Sequence, residues 1–154
     1  MQLVPRKLDY APDLRKEKVL RLFTSNSYIN VKGELVMGRG AAQQVRMFYG
    51  ENLAAWFGAQ IQNMGAEKGC YGLIINTQHN IGALQVKYHF ARNAETGLVG
   101  TSLMMLRSWL QDPANAGWEV HMNYPGIGYG GLPKQDIEPW LTPLPDNVFV
   151  YEFK

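Results

Sequence analysis

Trp118-Glu-Val-His-Met-Asn-Tyr-Pro-Gly-Ile-Gly-Tyr-Gly-Gly-Leu132 joins an alternating run to a loop with glycine at 126, 128, 130 and 131. The alternation over residues 118–123 predicts a strand. The loop over residues 125–131 follows at once. A plain turn needs one or two glycines; four in six positions can build a nest of backbone N–H groups that wraps a phosphate. A strand running into such a loop points to an α/β fold, where ligands bind beyond the carboxyl ends of strands. Gly126, Gly128 and Gly131 also satisfy GxGxxG. A dinucleotide-binding half needs more chain after that match than remains here, and no Gly-Lys-Ser/Thr follows to make a Walker A loop.

Working outward, residues 19–24 predict an earlier strand after a charged lead-in. Residues 41–48 and 52–64 are helical in pattern, with Gly50 as the break between them. In the second segment Leu53, Trp56, Phe57, Ile61 and Met64 fall at spacings of three and four, which predicts one apolar face. Residues 72–76 read as a buried strand, with a shorter strand over 83–87 beside it. Residues 98–110 predict a helix with Leu98, Thr101, Met105, Leu106, Trp109 and Leu110 turned inward. A short helix over 135–141 precedes a last strand over 148–153. Helices alternating with strands imply a three-layer α/β/α sandwich around a mixed central sheet. With no repeat or linker, residues 1–154 are expected to form a single domain.

Composition narrows the function. Hydrophobic residues make up 46% of the 154 and charged residues 18%, which excludes a disordered chain. A net charge of +2 is too small to argue for nucleic-acid binding on electrostatics alone. Cys70 is the single cysteine and there are three histidines, so neither an internal disulfide nor a Cys/His zinc site is expected, and no metal is. No apolar run approaches the roughly 20 residues that span a bilayer. A monomer in the reducing cytoplasm, without a membrane partner, is the expectation.

A second glycine loop, Met37-Gly-Arg-Gly-Ala-Ala42, runs directly into a predicted helix. Gly38 and Gly40 allow positive φ and close backbone approach, and the helix start offers free N–H groups to an anion. Two anion-capable loops together suggest a diphosphate or nucleotide-like ligand.

Three segments carry a resemblance. Thr24-Ser-Asn26 leads through a loop to Val36-Met-Gly-Arg-Gly-Ala-Ala42; Gln85-Val-Lys-Tyr-His-Phe90 precedes the long helix; and Asn123 to Leu132 forms the glycine loop quoted first. Together they resemble the macro domain family of ADP-ribose binders. The closer similarity is to its branch of terminal ADP-ribose glycohydrolases and DNA ADP-ribosyl glycohydrolase antitoxins. The resemblance spans about residues 19–153. It implies that Asn26 hydrogen-bonds the distal ribose and that Gly38, Arg39 and Gly40 line the first phosphate and ribose loop. It also implies that Pro125, Gly126 and Gly131 bind the ligand together with Ile127, Gly128, Tyr129 and Gly130, the last four offering N–H groups to the diphosphate. Lys87 matches the lysine that acts on the anomeric carbon of the distal ribose in that branch, and Tyr151 or Phe153 would flank the adenine. The lysine amine is a nucleophile only when deprotonated, which needs burial or a nearby cation. His89 is expected to pack or orient, while His79 and His121 read as ordinary structural residues.

Two departures from the family pattern stand out. The usual N-terminal Gly-Asp, whose carboxylate recognises the adenine amino group, is missing, with Asp9 and Asp13 as the nearest substitutes. The last glycine loop also lacks the acid found in the protein-directed glycohydrolase; Asp136 is the nearest. The implied partner is ADP-ribose or an ADP-ribosylated macromolecule, with nucleic acid only as a modified substrate and no cofactor. The implied activity is release of ADP-ribose from that macromolecule. The alternatives are a non-catalytic ADP-ribose reader and a phosphatase acting on ADP-ribose 1″-phosphate.

Overall fold

The computed structural model describes residues 1–152. A six-stranded sheet has the order β1-β6-β5-β2-β4-β3, with β1 at Gln2–Val4, β2 at Val19–Ser25, β3 at Leu73–Asn76, β4 at Ile81–Gln85, β5 at Glu119–Asn123 and β6 at Val148–Tyr151. All neighbouring pairs are parallel except β3 with β4. The carboxyl ends of β2, β4, β5 and β6 therefore meet along one edge. Four helices cover the two faces: α1 at Gly40–Tyr49, α2 at Glu51–Asn63, α3 at Thr96–Gln111 and α4 at Lys134–Leu141. This is the mixed α/β sandwich expected from the alternation of elements.

Strand alternation sends side chains to two separate cores. Leu20, Leu22, Val120, Met122, Val148 and Val150 face α3 and α4. Phe23, Ile81 and Ala83 face α1 and α2, whose Val45, Leu53, Phe57 and Ile61 complete that layer. Fully burying side chains of this size contributes about 1.5–3 kcal/mol each, which is what holds the helices on the sheet.

The first 18 residues are structural rather than a bare lead-in. Gln2–Val4 adds an edge strand beside β6, and Leu8 and Tyr10 join the core under α1 and α2. The buried Arg21 guanidinium donates to the carbonyls of Asp9 and Ala11, both at 2.9 Å, and to the Tyr49 hydroxyl at 3.2 Å. Carbonyl acceptors thus satisfy a charge that would be costly if left bare.

Both predicted helix faces need correction. On α2, Met64 follows the helix and is 55% exposed, while the small residues Ala54 and Gly58 are buried in its place. On α3, Thr101 and Met105 are exposed, and Val99, Gly100, Ser102 and Leu103 are buried instead. Gly100 lets the Trp140 ring approach where a Cβ would lie 2.7 Å from it. The Ser102 hydroxyl points inward because it donates to the Gln85 carbonyl at 2.7 Å. Small and polar residues thus mark the close contacts that hydrophobicity alone misses.

The strands are corrected too. β4 begins at Ile81, which pairs with Arg21 on one side and Asn76 on the other; Gly82 within it packs where a Cβ would lie 2.6 Å from Leu22 Cδ2, the close approach that a glycine in a strand often marks. It ends at Gln85, leaving Lys87 two residues beyond. β3 is an edge strand with alternating burial rather than a buried one. The last strand ends at Tyr151, and Phe153 lies outside the described residues. No helix among the described residues is long and apolar enough to cross a membrane.

Candidate functional site

Register brings the two candidate catalytic residues together. Ser25 of β2 pairs with Gln85 of β4, and the Val86 N–H donates to the Ser25 carbonyl at 2.9 Å. Asn26 and Lys87 thus leave adjacent parallel strands at the same edge, and both line a chamber of about 320 Å³. Gly38, Arg39 and Gly40 line it too, with Gly126, Ile127, Tyr129 and Gly130 from the second glycine loop. The two glycine loops, nearly ninety residues apart, line one space.

The buried Asn26 side chain is fixed at both ends. Its Nδ2 donates to the Val36 carbonyl at 3.1 Å, and its Oδ1 accepts from the Tyr28 N–H at 2.8 Å. Its carbonyl accepts from the Tyr71 hydroxyl at 2.8 Å, a phenol whose ionisation burial opposes. The fully buried Gln85 ties this network to Lys87. Gln85 Oε1 accepts from Tyr71 N–H at 2.8 Å, while its Nε2 lies 3.4 Å from the Lys87 carbonyl as donor. The Gln85 amide thus links the Tyr71 and Lys87 backbones, and the Tyr71 hydroxyl carries the network on to Asn26.

Lys87 Nζ donates to the Phe90 carbonyl at 3.4 Å. Among the described residues no carboxylate forms an ion pair with it. Burial lowers its pKa below the ordinary lysine value, and the Arg39 guanidinium across the chamber lowers it further. Both causes disfavour the ammonium, so more of the side chain is the free amine at a given pH. That is the state a nucleophilic lysine needs.

The glycine loops use their freedom selectively. Gly40 (φ +58°), Gly126 (φ +80°), Gly128 (φ +62°) and Gly131 (φ +76°) occupy backbone regions that disfavour side chains. Gly38 does not; it has no neighbour within 4 Å of a would-be Cβ, so its contribution is open space for a ligand. The first helix starts at Gly40, one residue earlier than the pattern predicts. Pro125 and Gly131, expected among the ligand-binding residues, line neither chamber: Pro125 is buried, and Gly131 lies against the Asn93 side chain.

A second chamber, of about 350 Å³, adjoins the first and shares Gly40, Ala41, Asn123, Ile127 and Tyr129 with it. The 67%-exposed Tyr129 ring lies over Gly40, 3.5 Å from where a Cβ would stand, with the Arg39 guanidinium 5.6 Å from its centroid. This pair straps the waist where the chambers meet. Beyond it, Leu8, Tyr10, Tyr124 and Tyr151 make an aromatic slot, with Lys7, Gly128 and Glu152 also lining it. Tyr151 therefore stands at the far end from Lys87. Its hydroxyl is 2.7 Å from His121 Nδ1, and His121 Nε2 is 3.1 Å from a Glu119 carboxylate oxygen.

Several residues escaped the sequence reading. Asn123 lines both chambers, and its amide clasps Thr24: Nδ2 donates to Thr24 Oγ1 at 2.9 Å and Oδ1 accepts from Thr24 N–H at 3.1 Å. Its place at the end of the strand feeding the glycine loop is the signal that would have found it. Lys7, Leu8 and Tyr10 carried no motif and reach the site only through the path of the N-terminal segment. The substitutes considered for missing acids lie elsewhere. Asp9 is exposed and caps the Ala11 N–H at 2.9 Å, and neither Asp13 nor Asp136 lines a chamber. His89 accepts from Ala91 N–H at 3.0 Å and stacks on Phe90, holding the turn after Lys87. His79 packs on Tyr49. Among the described residues no group of three or more His, Cys, Asp or Glu could hold a metal ion.

No protein-family model matches this sequence, and no curated protein does. Solved structures do match. The macrodomain of Mycobacterium tuberculosis DarG superposes with a TM-score of 0.70 at 21% identity, over 99% of both chains. The macrodomain of Thermus aquaticus DarG gives 0.65 at 22% identity, over 99% of this chain and 97% of that one. Thermosipho africanus DarTG in complex with ADP-ribose gives 0.62 at 17% identity, over 88% of this chain and 38% of that one. The fold is that of a macrodomain, as the three sequence segments implied.

Proposed function

We propose that this macrodomain fold binds ADP-ribose and releases it from a modified macromolecule, with Lys87 as nucleophile. One observation carries the reading: two glycine loops line a single cleft whose ends differ in chemistry. One end holds Asn26 and an amine with lowered pKa; the other is an aromatic slot. A diphosphate at the waist would meet the backbone N–H groups of residues 127–130 and the start of α1. The distal ribose would then lie against Asn26 and Lys87, and the adenine in the slot. The ADP-ribose complex of the Thermosipho protein supports the ligand.

In the reaction, the neutral Lys87 amine attacks the anomeric carbon of the distal ribose. A carbon–nitrogen bond forms as the bond to the macromolecule breaks, the leaving group takes the proton that the alkylated amine gives up, and water then cleaves the carbon–nitrogen bond, its hydroxyl going to the anomeric carbon and its proton back to the Lys87 amine. One observation favours the second reading, a reader without turnover: no carboxylate lines the Lys87 chamber, so no acid there is placed to protonate the leaving group.

Binding is tested by thermal denaturation with ADP-ribose, using AMP and NAD as controls. At about 100 times its dissociation constant, a ligand selective for the folded state adds roughly 2.7 kcal/mol. For a chain of this size the melting temperature should rise by roughly 5–10 °C. An equal rise with AMP would place the affinity in the aromatic slot alone.

Arg39 gives a pH test of the chemistry. Its guanidinium holds the Lys87 pKa down, so the rate should climb with pH as the ammonium loses its proton. Arg39→Gln should move that rising limb to higher pH while the plateau remains. An unmoved limb would mean that Lys87 is not the titrating group.

A further inference from the structure

The aromatic slot holds one polar side chain that the glycine loops do not explain. Gln44 lines the slot from α1, four residues after Gly40, which belongs to both chambers. Residues four apart share a helix face, about 6 Å along the axis, and helical side chains lean toward the N-terminus. Gln44 thus stands on the slot side of the waist, one turn in from the start of α1. It is half-buried, and its amide hydrogen-bonds to no described residue. Other polar side chains of the slot are already engaged. The Tyr10 hydroxyl donates to the Leu22 carbonyl at 2.7 Å, Tyr151 Oη lies 2.7 Å from His121 Nδ1, Asn123 clasps Thr24, and Glu152 holds Lys134. Gln44 brings to the slot an uncommitted donor and acceptor on a regular helix.

We propose that Gln44 is a specificity-determining residue for the ribose between the diphosphate and the base, holding its 2′-hydroxyl. This rests on the reading of the cleft as an ADP-ribose site. A diphosphate at the waist puts that ribose next on the slot side, where Gln44 stands. The amide offers an oxygen that accepts from the hydroxyl and an NH₂ group that donates to it. A ligand without the hydroxyl leaves the half-buried amide no partner but water, and a site built around a hydroxyl rejects the analogue that lacks it. Being neutral, the amide makes this selection without adding charge beside the diphosphate. The class selected is a ribonucleoside diphosphate over its 2′-deoxy counterpart.

The test is calorimetric titration of the full chain with ADP-ribose and with the analogue whose adenosine ribose lacks the 2′-hydroxyl. The wild type should prefer ADP-ribose by about fivefold, the scale of one partly exposed hydrogen bond. Gln44→Met keeps the side-chain length and a comparable helix propensity but has no amide, and should bring the two affinities within about twofold. It should do so by weakening ADP-ribose alone, with the deoxy analogue bound as by the wild type. A wild-type ratio near one overturns the assignment without any variant and leaves ADP-ribose binding intact. A Gln44→Met protein that weakens both ligands equally overturns it too, making Gln44 a residue that only shapes the slot. So does a variant that binds both as the wild type does, since the preference then comes from another residue. Folded wild type that binds neither ligand overturns the ADP-ribose reading and this inference with it.

Discussion

Lys87→Ala is expected to abolish release of ADP-ribose from a modified substrate while leaving the ligand-induced rise in melting temperature intact. Removing a nucleophile costs on the order of 10³-fold or more in turnover. The binding contacts proposed here come mainly from glycine-loop N–H groups and Asn26, which the substitution does not touch. Lys87→Arg sharpens the test, because it keeps a cation of similar reach that does not deprotonate in a protein. If the arginine variant binds and does not turn over, the free amine rather than the charge is what the reaction uses. Turnover retained in both variants would remove Lys87 from the chemistry and favour a reader or a different nucleophile. Loss of binding in both would instead make Lys87 a ligand-holding residue. The lowered pKa gives the result its pH dependence: wild-type turnover should rise with pH, with its midpoint below the ordinary lysine range.

Gly58→Ala should be strongly destabilising for a single added methyl group. Gly58 lies buried in α2, and a Cβ there would stand 2.0 Å from the Gly33 carbonyl oxygen and 3.1 Å from the Leu35 nitrogen. Both obstacles are backbone, so the clash cannot be relieved by a rotamer change. Overpacking of this kind costs about 1–3 kcal/mol and occasionally more, against a gain of about 1 kcal/mol in helix propensity. A backbone clash at 2.0 Å puts the cost at the upper end, so the net loss should be about 2 kcal/mol, which would lower the melting temperature by roughly 4–8 °C. Function should suffer as well. The displaced segment includes Val36, whose carbonyl orients Asn26, and Leu35, whose N–H donates to the Ala54 carbonyl. Weaker ADP-ribose binding should therefore accompany the lost stability. Gly69→Ala is the control, since Gly69 has nothing within 4 Å of a would-be Cβ and no positive φ; it should fall within about 0.5 kcal/mol of wild type. A Gly58→Ala protein as stable as that control would mean that α2 and the loop shift freely apart.

The amino-acid sequence alone determined the layer order and the anion-binding character of this protein. Periodicity is a local property, and the alternation of residues 118–123 and the helical spacing after Gly40 follow from backbone geometry over a few residues. The four glycines from 126 to 131 likewise announce a nest of N–H groups wherever they are placed. The tertiary structure decided everything that depends on which local pieces meet. Asn26 and Lys87 face one chamber because β2 and β4 are parallel and in register at Ser25 and Gln85. The inward face of α3 runs through Gly100 and Ser102 because Trp140 and the Gln85 carbonyl are there to receive them. The aromatic slot draws Leu8 and Tyr10 from one end of the chain and Tyr151 and Glu152 from the other. No window of sequence contains both. Their meeting follows from burying Arg21 beneath the N-terminal segment and from pairing β1 with β6, a contact between residues more than a hundred positions apart.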